Sequence, residues 1–166
     1  MKPRPIVRHA FVCVLAISCV SAAAEPPAGG PEPIGSKDTA KWTDSTEKAA
    51  TTPEQKNVLA GGKVATITGE LVDVSCYLQL GKRGEAHVPC GSDCIKHGQP
   101  AGIVDDSGKL TLLFVEEHDP RRYGQIDVRD KLASLLAKRV SATGMLTTTK
   151  DGQGLYVRGA DINAAR

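Results

Sequence analysis

Aromatic side chains are scarce in this sequence, with one Trp, three Tyr and two Phe among 166 residues. A surface that holds single-stranded nucleic acid by stacking needs exposed aromatics along a basic groove. Tyr77, Phe114, Tyr123 and Tyr156 are scattered, Phe114 lies in an apolar run that reads as core, and Arg121-Arg122-Tyr123, the best local basic-aromatic patch, reads as a solvated surface loop. Charge of one sign is lacking too: the formal net charge is +2, too small to steer the chain to nucleic acid or anionic membrane. No uncharged stretch reaches the about 20 residues of a membrane-spanning helix, so neither nucleic acid nor a transmembrane segment is expected. Several chemical signatures are also missing. There is no Ser-His-Asp ordering, no phosphate-cradling loop, no Cys-x-x-Cys redox pair and no Cys-x-x-Cys-His haem attachment.

What is present at the start, "MKPRPIVRHAFVCVLAISCVSAAAEPP", predicts a secretory signal over residues 1–24. Lys2, Arg4 and Arg8 form a basic flank, residues 10–20 an uncharged apolar core, and Ala22-Ala23-Ala24 a small-residue cleavage site. Leu15-Ala16-Ile17-Ser18-Cys19 offers a competing, looser fit to a lipoprotein box, which would anchor the protein at Cys19. Export places the protein in the periplasm or outside the cell, takes the formal net charge from +2 to −1 and leaves three of five cysteines. In that oxidising setting an odd number of thiols needs an explanation.

Residues 25–62 read as a flexible tether. Pro26, Pro27, Pro31 and Pro33 alternate with Gly29, Gly30 and Gly35, and the polar run that follows offers little apolar surface against the entropy of ordering it. Within it, Thr52-Pro53-Glu54 predicts a short capped helix through Leu59. Residues 63–166 carry the folded domain. "KVATITGELVDVS" predicts a long strand bent at Gly69, and "AGIVDDSGKLTLLFVEE" a hairpin turning at Asp106-Ser107-Gly108. Val128, Leu132, Leu135 and Leu136 share one face of a helix that Asp127 can cap and Lys138-Arg139 can close. "RVSATGMLTTTKDGQGLYVRGADINA" predicts a second hairpin turning at residues 151–154, with Val140, Ala142, Gly144 and Leu146 on one face. The fold expected is mainly β: a five-stranded OB-like barrel with one helix between strands 3 and 4 and a Cys-bearing helical insert, residues 76–98, after strand 1. Thr-Gly-x-Leu recurs at Thr68–Leu71 and Thr143–Leu146, placing a glycine in each long strand where a small barrel must coil. An open α+β sheet with the same element order is the alternative.

The insert "CYLQLGKRGEAHVPCGSDCIKHG" gathers the remaining chemistry. Cys76 is expected at the end of the first strand, and Val88-Pro89 opens a helix that Gly98 ends. Cys90 and Cys94 are four apart, so their thiols share a helix face. Gly81 and Gly84 let the loop fold back, and His87 can complete a Cys76, His87, Cys90, Cys94 set for Zn(II) or Cu(I). His97 is a substitute for His87, and Asp73 and Tyr77 can orient ligands through hydrogen bonds. Two other uses of the thiols stay open. A disulfide from Cys76 to Cys90 or Cys94 would staple the insert with one thiol spare, and thiol-redox chemistry could draw on His87 as activator.

The motif Gly-Glu-x-Val-Asp-x-x-Cys-Tyr, then Gly-x-x-Gly-x-x-His-x-x-Cys-x-x-x-Cys, then Gly-x-Pro-x-Gly runs through Gly69, Glu70, Val72, Asp73, Cys76, Tyr77, Gly81, Gly84, His87, Cys90, Cys94, Gly98, Pro100 and Gly102. In this it resembles a group of small, mostly uncharacterised exported bacterial proteins. The resemblance implies that His87 belongs with the three cysteines and carries no established activity with it. The expectation is therefore an exported metal-binding protein, with no catalytic residue assigned, whose partners are a metal ion and another exported protein. Glu116-Glu117-His118-Asp119-Pro120-Arg121-Arg122-Tyr123-Gly124 is a candidate partner loop. A disulfide-stapled binding module is the competing class.

Overall fold

The structure, a computed structural model, describes residues 29–117 and 126–166. The expected signal and most of the candidate partner loop, including Arg121-Arg122-Tyr123, lie outside the described residues. Strand β1 spans Glu32–Ile34, followed by helices α1 (Asp44–Ala49) and α2 (Pro53–Ala60). Then come strand β2 (Lys63–Asp73), helix α3 (Val74–Leu80), a 3-10 turn (Glu85–His87) and helix α4 (Val88–Lys96). The chain continues through β3 (Ala101–Val104), β4 (Leu110–Val115), α5 (Arg129–Ser134), β5 (Arg139–Thr148), β6 (Gln153–Val157) and α6 (Gly159–Ala164).

The β-branched run of β2 makes the longest strand, and two partners share it. Lys63 to Glu70 pair antiparallel with Leu146 to Arg139 of β5, and Glu70 to Asp73 pair with Val104 to Ala101 of β3. The hand-over falls at Gly69, where any Cβ would collide with the backbone carbonyl of Val104. Glycine is therefore needed for the strand to bend from one partner to the next. β3 returns as β4 through a turn in which the N–H groups of Ser107 and Lys109 donate to Asp105 Oδ1. β6 pairs in parallel with β4 and antiparallel with β5. The ring β5-β2-β3-β4-β6-β5 is thus closed, a five-stranded mixed barrel with β1 added as a sixth strand.

Closure into a barrel follows the expected strand order, and Val128, Leu132, Leu135 and Leu136 are all buried as the helical spacing implies. Helix α5 is shorter than expected. Leu135 and Leu136 follow it in a turn, Ala137 takes a left-handed φ of 62°, and its N–H donates to Leu71 O. Docking onto β2 therefore stops the helix before Lys138-Arg139. The description "mainly β" is loose, because helical residues slightly outnumber strand residues among the described ones. Helix α6, which sequence reasoning left inside the last hairpin, packs Ile162 into the core. Phe114, expected in the core, is partly exposed and stacks on Tyr156 at 5.1 Å.

The largest departure lies in the stretch read as a tether. Ile34 is fully buried in the core, because β1 lies parallel to the start of β5 with Ile34 opposite Ala142. Trp42 packs edge-on against Tyr156 and donates its indole N–H to Leu59 O. Thr43 N–H donates to Glu116 Oε1, and Thr39 Oγ1 to Asp161 Oδ2. Helix α2 has the expected start, with Thr52 and Gln55 forming a reciprocal capping box. A few well-placed apolar groups and side-chain hydrogen bonds to the barrel order a segment whose average composition is polar.

Candidate metal centre

Every donor of the site comes from one excursion between β2 and β3, whose end residues Asp73 and Ala101 face each other across the strand pair. Asp73 closes β2 and caps α3: its Oδ1 accepts the Ser75 N–H at 3.0 Å. That capping preference turns strand into helix at once, so Cys76 stands in the first turn of α3 rather than at the end of the strand. Gly81 and Gly84 hold left-handed φ values of 66° and 75° and fold the chain back, as their spacing implied. Glu70 pins the returning loop, accepting Gly84 N–H at Oε1 and pairing its other oxygen with Arg83. The 3-10 turn then delivers His87, and α4 carries Cys90 and Cys94 one turn apart. Gly91 is small because His87 lies against it; a Cβ there would come 2.9 Å from the imidazole Nε2.

Two groups of donor atoms result, each with all its atoms within 4.8 Å of one another: Cys76 with Cys90 and Cys94, and Asp73 with Cys76 and His87. The four residues singled out from sequence thus collect in one cluster, with Cys76 common to both groups. Asp73 joins them as a donor in its own right. The signal for it was the Asp-x-x-Cys spacing across a strand-to-helix change, where a capping carboxylate commits one oxygen and leaves the other free. His97 points elsewhere, its Nδ1 engaged with Asp93 O at 2.7 Å.

Asp73 is fully buried and His87 is 5% exposed, yet neither Asp73 Oδ2 nor His87 Nε2 has a hydrogen-bond partner. The two atoms face each other at 3.7 Å, too far for a hydrogen bond. The thiols feel the same surroundings. The Asp73 carboxylate, and then burial, hold the Cys76 thiol above its ordinary pKa. Burial first, then Asp73 and the neighbouring thiols, push Cys94 up to about 12. Without a cation the Cys76 and Cys94 thiols therefore stay protonated at neutral pH.

Cys76, Cys90 and Cys94 are free thiols, and no pair is at bonding distance among the described residues. The disulfide staple considered from sequence is not formed. Cys90 and Cys94 lie on one helical turn, which suits convergence on a common ion better than a bond between the two sulfurs. Tetrahedral Zn(II) with bonds of about 2.3 Å to sulfur sets sulfur atoms about 3.8 Å apart. The donors need to contract by no more than about 1 Å to meet that. The cluster can therefore hold a metal ion. No helix among the described residues is long and apolar enough to cross a membrane. Comparison with protein families, curated proteins and solved structures found no match for this chain.

Proposed function

We propose that this is an exported metal-binding protein that holds Zn(II) or Cu(I) with donors drawn from Cys76, Cys90, Cys94, His87 and Asp73. One observation carries the reading: Asp73 Oδ2 and His87 Nε2 are buried without partners beside three free thiols. A buried polar atom left unsatisfied costs about 1–3 kcal/mol, and two such atoms 3.7 Å apart are relieved of that cost when a cation supplies the missing bond. A carboxylate and an imidazole among the donors favour Zn(II), while the three thiolates alone suit Cu(I).

The order of the barrel strands, with α5 between the third and fourth of them, supports an OB-like barrel as the rigid mount. The motif shared with small exported bacterial proteins, and the leader over residues 1–24, belong to the same proposal: a mature chain starting near Glu25, soluble in the periplasm or secreted. A mature N-terminus at a lipidated Cys19 would replace it with a tethered form.

Native mass spectrometry of exported protein isolated without reductant, paired with thiol counting, tests the metal reading. The expected result is a metal-loaded chain whose three thiols become reactive only after chelation. A metal-free chain with a disulfide from Cys76 and a single reactive thiol would replace it with the stapled module.

A further inference from the structure

Resting on that metal-binding reading, we propose that the cluster is a two-ion centre, in which Cys76 Sγ bridges a cation held with Cys90 and Cys94 to a second held with Asp73 and His87. The donors are five, and they fall into two triads that meet only at Cys76. A four-coordinate ion cannot use five donors. A thiolate sulfur has lone pairs enough to bind two ions at once, so the shared residue is of a type that lets both triads be filled.

Charge points the same way. With all donors deprotonated, three thiolates and one carboxylate bring four negative charges to a site in which Asp73 is fully buried. One divalent ion leaves two of them uncompensated, and the cost falls on Asp73, the one anionic donor that is fully buried. Two divalent ions bring the sum to zero. Arg83, on the returning loop, is already committed to Glu70. The unpartnered atoms add the second observation: a single ion bound by the three sulfurs would leave Asp73 Oδ2 and His87 Nε2 as unsatisfied as before. The two halves also differ in access. Cys90 is exposed, whereas Asp73 and His87 are enclosed, so the thiolate half is the one open to exchange with solution.

The test is Zn(II) titration of the reduced mature chain by native mass spectrometry, with cadmium-113 NMR of the Cd(II)-loaded protein. Two ions per chain are expected, with two cadmium resonances split by coupling through the shared sulfur. Asp73→Asn keeps an oxygen to cap α3, so its fold is preserved; it should bind one ion, and the coupling should vanish. Cys90→Ser combined with Cys94→Ser should bind at most one. Saturation of the parent chain at one ion overturns the two-ion centre and leaves the metal-binding reading standing, whereas no uptake removes both. Two uncoupled resonances, or a second ion retained by Asp73→Asn, place that ion elsewhere and also overturn the proposal.

Discussion

Replacing Ile34 with alanine removes three carbon atoms from a side chain that is fully buried. At about 0.8 kcal/mol per buried carbon the transfer loss alone is about 2.4 kcal/mol. A cavity term adds to it, because Ile34 belongs to the buried core cluster, whose neighbours relax only partially. The expected cost is about 3–4 kcal/mol, within the range of about 2–5 for such truncations. For a chain of this size that lowers the melting temperature by about 10 °C. The assay is guanidinium unfolding followed by far-ultraviolet circular dichroism and by the fluorescence of Trp42, the single tryptophan, which reports on the N-terminal segment. Val58→Ala, at a side chain 65% exposed, is the control and should change stability by no more than about 0.5 kcal/mol. A loss below about 1 kcal/mol for Ile34→Ala would refute the docking of β1. Separate transitions for the two probes would show that the segment releases before the barrel unfolds.

Glu70→Ala should weaken metal affinity about 10–100-fold with unchanged stoichiometry, read by chelator competition, because it frees the loop that presents His87 without removing a donor. Gly69→Ala should be among the most destabilising single changes in the barrel, since the new Cβ meets the Val104 carbonyl with no flexible side chain to yield; denaturant unfolding measures it. Raised thiol pKa values mean that the metal-free fold holds its protons more tightly than the unfolded chain. The stability that Cys76 and Cys94 contribute is therefore complete below about pH 9 and lost as pH rises toward about 12, which urea titrations across that interval would reveal. Metal binding has the opposite dependence: affinity should rise with pH through the neutral range because thiol protons must leave.

The barrel was legible because its cues are local and agree with one another. The β-branched run of β2, the Asp-Ser-Gly turn and the period of Val128, Leu132, Leu135 and Leu136 each name an element, and their order leaves few topologies. The cluster was legible from helical spacing at Cys90 and Cys94 and from the proline and glycine bounding α4. Two features were not. Ile34 is a lone apolar residue among prolines and glycines, and only the open edge of β5, a hundred residues away, gives it a place to be buried. The carboxylate of Asp73 looked like a strand residue with an orienting role; its free oxygen gains meaning only once α3 starts directly after it. Phe114 failed for the reverse reason, since an apolar run on a barrel strand has an outer face as well, and there Phe114 lies on Tyr156.

Cys94 and Ile95 are neighbours on α4, and they face different worlds. Cys94 belongs to the donor cluster, while Ile95 is sealed in the core among the barrel side chains. Ser92 ties the same helix to α5 through Ala133 O. Whatever holds Cys94 in place also seats Ile95, so ligand binding and resistance to unfolding are mechanically one property. At a free metal concentration a thousand times the dissociation constant, linkage adds about 4 kcal/mol to the native state. Proteases that attack the transiently opened chain would then clear empty copies far faster than loaded ones. Under the proposed metal binding, the amount of this protein that survives would become a running record of how much metal reached it.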